Sequence, residues 1–247
     1  MKACLAVVLS LVSGACLAQT AYPETEAAAA WRGLAASYVR KALRDQTLDR
    51  DPVLNARVDA AMAAVAVAVA AIDPRFAQST WKALLIEDFG RGAAAFPGEI
   101  ILIDAKFVRA LQLNDDELAL ILSHEAAHVL AGHALAKLSF MAEQLGKEKV
   151  PTARTALLEF LARDSYATAF QPKERVQERE ADALGAAIFL ATGYDTQRAL
   201  ALFDKLARLE TREEGGAADS HDAASARKRT VSRVFEELQM LPARRSK

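Results

Sequence analysis

Cysteine is almost absent from this 247-residue chain: there are two, Cys4 and Cys16, both within the first 16 residues. No disulfide framework can therefore hold the body of the protein together. Charge of one sign is also lacking, with 31 Lys and Arg against 32 Asp and Glu and a net charge of −1. That balance excludes a globally basic nucleic-acid binder, so no nucleic-acid partner is expected. Aromatics are only 6% of residues while 52% are hydrophobic, which makes the apolar mass aliphatic and rich in alanine. Such a composition favours helices over a β-sandwich or barrel. Long hydrophobic runs are scarce too. Ala60 to Ile72 is closed after 13 residues by Asp73-Pro74, short of the roughly 20 apolar residues that span a bilayer. It reads as a buried helix, and no transmembrane span is expected in the mature chain.

The first 18 residues read as an address. Lys2 precedes a short apolar stretch, Ala3 to Val12, and the small residues of Ser13-Gly14-Ala15-Cys16-Leu17-Ala18 follow. This is the layout of a secretory signal peptide, 1–18, whose removal after Ala18 leaves a mature chain without cysteine. The alternative is a lipoprotein signal in which Cys16 becomes the lipid anchor. The expectation is a periplasmic or otherwise exported protein, with a membrane-tethered lipoprotein as the second form.

Periodicity and turn residues predict helices, one small sheet, then helices again. Helices are expected at Glu24 to Asp45, Pro52 to Ile72, Thr152 to Arg163, Pro172 to Ala191, Thr196 to Glu210 and Ala223 to Leu241. Between Trp81 and Asp104 the pattern shortens and turns Ile-rich, giving two or three strands. Asn114 and Glu117 form a capping-box pattern ahead of the apolar stretch Leu118 to Leu138. The fold class is mainly α (α+β), a single domain over 24–247. No internal repeat or strong linker divides it.

The chemistry stands on the helix opened by Asn114. His124-Glu125-Ala126-Ala127-His128 is an HExxH pattern, which random placement yields roughly once in a few hundred chains of this composition. Residues four apart on a helix differ by about 40° around its axis, so both imidazoles face one way and can share a Zn²⁺ ion. Glu125 lies about 100° further round, placed to act on a metal-activated water rather than to ligate. A catalytic zinc wants a third protein ligand. The longer motif HExxHxxGxxH is not met, since Ala131 and Ala134 hold its last two places. Continued helix puts His133 about 140° from His128 and away from the site. Glu178 and Asp182 are four apart on a later helix. One can complete the site while the other orients a histidine ring, and Glu180 is expected to face away into solvent.

Four segments in order resemble the HtpX-type zinc metallopeptidases, the gluzincin group that also contains the CaaX prenyl protease and the mitochondrial Oma-type enzymes. They are AFPGEIILI at 95–103, NDDELALILSHEAAH at 114–128, RVQEREADALG at 175–185 and ATGYDTQRALALF at 191–203. The motif core covers 81–203. The resemblance implies one zinc per chain held by His124, His128 and Glu178, with Asp182 behind the histidines and Glu125 as general base. It also implies an exported endopeptidase acting on polypeptides, such as misfolded envelope proteins. Departures are Glu99, where the family often has Gly, and His221-Asp222, where a His-Pro pair is usual; Arg227 keeps the family's Arg spacing. His221 is a candidate metal or oxyanion contact. Ile100, Ile101, Leu102 and Ile103 are the candidate strand on which substrate adds. Two alternatives stay open: a zinc protein that grips clients without cutting them, and an enzyme inhibited by its own His221 or Gly215-Gly216 loop. Arg227-Lys228-Arg229 and Arg244-Arg245-Ser246-Lys247 are basic clusters that read as solvated.

Overall fold

The computed structural model describes residues 21–210 and 222–240. The leader 1–18 and His221 lie outside the described residues. Ten elements precede the site's second half in order: α1 (Glu24–Arg44), α2 (Pro52–Ile72), β1 (Lys82–Ile86), β2 (Ala93–Phe96), β3 (Ile100–Asp104), α3 (Ala105–Ala110), α4 (Asp115–Leu130), α5 (His133–Leu145), α6 (Ala153–Ala162) and α7 (Asp164–Thr192). Helices α8 (Thr196–Glu210) and α9 (Ala224–Gln239) follow. The architecture is mainly α with one small mixed sheet, as the composition predicts.

Local chemistry sets the helix starts. Asp51 caps α2 by accepting from the Val53 and Leu54 amides, with Pro52 in the first turn. The Asn114–Glu117 capping box closes the start of α4 in both directions. Glu117 is fully buried and also receives Lys205 of α8 at 2.6 Å. Asp116 accepts the Asp195 amide at 2.9 Å. The acidic first turn of α4 thus meets its own helix dipole and fastens α8 at the same time.

The sheet order is β1-β3-β2, with β1 parallel and β2 antiparallel to β3. Alternation along β3 divides the interior. Ile101 and Ile103 enter a core built on α2, α4, α7, α8 and α9, while Leu102 enters a second core with α1, α5 and α6. The second layer is tied by Tyr22 Oη donating to the Val150 carbonyl at 2.6 Å and Trp31 Nε1 to the Ala134 carbonyl at 3.1 Å. Helix α2 is long and apolar enough to pass for a membrane span by composition. One face of it, including Val58, Ala61, Val65 and Val69, is buried in the first core.

Two features depart from the expected elements. The apolar stretch Leu118 to Leu138 is not one helix: Gly132 takes φ +69° and α5 leaves α4 at 44°. Helix α7 begins at Asp164 and carries Pro172 inside it rather than at its first turn. The hairpin joining β2 to β3 places Glu99 at φ +59°, a left-handed position that suits the glycine usual there in the related family.

Candidate active site

Helices α4 and α7 cross face to face, and Gly185 sets how closely. A Cβ at Gly185 would lie 2.8 Å from His124 Cα and 3.0 Å from His124 N. Backbone atoms cannot swing aside as a flexible side chain can, so even alanine must separate the helices. Gly185→Ala is expected to cost about 1–3 kcal/mol, as overpacked cores do, and to weaken metal binding with it. Urea unfolding beside a zinc titration measures both, and an unchanged midpoint with unchanged affinity would contradict the close-crossing argument.

This crossing converges the predicted residues. His124 Nε2 and His128 Nε2 stand 3.1 Å apart. Glu178 Oε2 is 3.3 Å from His124 Nε2, and its Oε1 is 3.5 Å from His128 Nε2. One ligand atom from each of the three lies within 4.8 Å of the others. Ligands at zinc distances of 2.0–2.1 Å in a tetrahedron sit about 3.3 Å from one another. Two imidazole nitrogens and a carboxylate at this spacing fit zinc in donor type and in size. Glu125 lies between the histidines, half-buried, on the wall of the same groove.

Behind His124, Asp182 Oδ1 is 3.0 Å from Nδ1, which holds the ring with Nε2 toward the cluster. Arg227 of α9 grips the same carboxylate, Nη2 to Oδ1 at 2.8 Å and Nε to Oδ2 at 3.0 Å. Helical periodicity alone groups Arg227 with Lys228 and Arg229 as solvated charge; its side chain is instead 14% exposed and part of the site. Only its spacing from His221 marked it in the sequence. Burial would push His124 down, but hydrogen bonding to Asp182 and then Glu178 outweighs it and raises the imidazole to about 9. At His128 burial wins over the pull of Glu178 and lowers the ring to about 4. Burial would lift Asp182, yet His124 and Arg227 bring it down to about 2.

Two residues set aside by spacing are found here. His133, read as lying away from the site, has Nδ1 at 2.8 Å from His128 Nδ1, because the bend at Gly132 turns α5 back toward the cluster. Glu180, expected in solvent, reaches His133 Nε2 at 3.3 Å. The expected substrate strand also needs correction. Ile100 to Ile103 belong to β3, which is paired on both sides, so its backbone has no edge to offer a further strand. Among the described residues, the sheet edge toward the groove is β2.

The groove itself, about 1710 Å³ among the described residues, runs past β2 and the β2–β3 turn to His124, Glu125, His128 and Glu178. No curated protein matches the chain. The profile of Peptidase family M48 matches residues 52–235, from the first residue of α2 into α9. That match takes in both crossing helices and every residue of the cluster just described, and on it the chain belongs to Peptidase family M48.

Proposed function

We propose that the chain is an exported zinc endopeptidase that cuts extended polypeptides, serving protein quality control in the cell envelope. Membership in its family implies zinc metallopeptidase activity. The observation that carries the reading is the convergence of His124, His128 and Glu178 from two helices at zinc-ligand spacing, with Glu125 on the same groove wall. Bound there, zinc supplies the Lewis acid that acidifies water and polarises the scissile carbonyl. Glu125 accepts the proton of the attacking water and returns it to the leaving amine. Asp182 keeps His124 in the tautomer whose Nε2 lone pair faces the cluster, and Arg227 holds Asp182 ionised.

The substrate reading follows from the sheet. Strand β2 is antiparallel to β3 with Ala93, Ala94 and Ala95 opposite Ile103, Leu102 and Ile101. Three methyl side chains leave its outer edge unobstructed, and helix α4 packs against it. An extended segment added to β2 would run along the groove past Glu125. Export rests on the signal-like first 18 residues, with acylation of Cys16 as the second form.

Chelation of the purified protein is expected to abolish cleavage of an unfolded polypeptide, and about one zinc per chain to restore it. Glu178→Ala should not be restored. Cleavage that survives complete removal of metal would overturn the reading. The same preparation, taken from the envelope fraction of expressing cells, should begin after Ala18 or carry lipid on Cys16 by mass. An intact leader on protein left in the cytoplasm would sink the export part alone.

A further inference from the structure

His124 and His128 are not supported alike. A carboxylate stands directly behind His124, whereas behind His128 stands another imidazole. We propose that His133, held by Glu180, positions His128 for metal binding. The inference rests on the zinc reading above and extends it to two residues that spacing had excluded.

The proton count carries the argument. A neutral imidazole has one N–H and one lone pair, and a ligand must present the lone pair to the metal. Two Nδ1 atoms 2.8 Å apart, those of His128 and His133, need one proton between them. Ionised Glu180 only accepts, so the His133 nitrogen facing it at 3.3 Å, Nε2, bears its hydrogen. The Nδ1 of His133 is then a lone pair that receives Nδ1–H from His128. What remains on His128 is an Nε2 lone pair, 3.1 Å from Nε2 of His124. One surface carboxylate thereby sets the tautomer of two rings in series.

The geometry also fixes orientation. The two rings meet edge to face, with centroids 4.9 Å apart and planes at 77°, so His128 cannot rotate without losing its acceptor. His133 is buried at the first position of α5, and Gly132 aims it there. A histidine that merely filled space would need neither the facing nitrogens nor Glu180 at its other end.

Zinc affinity of the full chain, measured by competition against a chromophoric chelator, tests this together with the ligand-field spectrum of the Co²⁺-substituted protein. His133→Ala is expected to weaken zinc about 10–100-fold, the usual loss when the group behind a ligating histidine is removed, and to shift the Co²⁺ bands. His133→Asn places an amide oxygen near the lost Nδ1 and should recover most of the affinity. Glu180→Ala should weaken zinc in the same direction; its side chain is 29% exposed, so it carries the test should His133→Ala fold poorly. Affinities and spectra matching the parent in both alanine variants would overturn the positioning role while leaving the zinc site intact. An Asn variant no better than Ala would reduce His133 to packing and overturn it too. A parent chain that takes up no zinc would bring down the metal reading, and this inference with it.

Discussion

Replacing Glu125 with Gln is expected to reduce peptide hydrolysis by about 10²–10⁴-fold, the range attributed to a positioned general base, with the bound zinc unchanged. Gln has the shape and helix preference of Glu but cannot take a proton from water. The three ligand atoms belong to His124, His128 and Glu178, so nothing that holds the metal is removed. The loss should fall on kcat, with KM little altered, because Glu125 acts on the reacting water and not on substrate binding along β2. Metal analysis beside steady-state kinetics checks both halves. Undiminished turnover with zinc bound would remove Glu125 from the mechanism. A chain that grips clients without cutting them would show no cleavage in the parent and unchanged capture in the variant.

Asp182→Ala should have the second-largest effect, and it reaches stability as well as chemistry. The carboxylate is almost inaccessible and binds two partners that stay behind when it is removed: the His124 ring and the Arg227 guanidinium. Breaking a buried pair from one side strands the other charge, at about 3–5 kcal/mol, and freeing the His124 ring should weaken zinc about 10–100-fold. In chelated protein the sign with pH is set by both groups. Asp182, brought down from 3.8 to about 2, contributes stability above 3.8 that is lost as pH falls toward 2. His124, raised from 6.5 to about 9, contributes stability below 6.5 that is lost as pH rises through 9. Denaturant unfolding of chelated parent and variant across pH 2–10 should therefore show the largest gap between about 4 and 6.5. A gap that does not vary with pH would mean that shape, not charge, accounts for the loss.

Much of this was legible beforehand for local reasons. The capping box at Asn114, the boundaries of α2 and α8, and the facing pair His124 and His128 all depend on residues within a few positions of one another. What escaped depends on direction changes. An ideal helix run past Leu130 carries His133 away from the site, and only the left-handed Gly132 brings it back; Ala131-Gly132 was the available stop signal. Glu180 followed His133 into error, because its partner had been assigned elsewhere. Strand β2 escaped for another reason. Ala93, Ala94 and Ala95 have little strand preference of their own, and pairing with the Ile-rich β3 imposes the extended form. Pro172 suggested a helix start, but packing of Phe170 against Phe140 and Phe160 keeps the preceding turns helical despite the missing N–H.

The crossing of α4 and α7 has a topological side. When zinc joins His128 to Glu178 it closes a chain loop of about 50 residues, a length at which a covalent cross-link would in principle restrict the unfolded chain by about 4 kcal/mol. Helices α5 and α6 lie wholly inside that loop. In a protein whose two cysteines both sit in the leader, the metal is thus placed to serve as the missing staple: the ion that cuts other chains also ties this one.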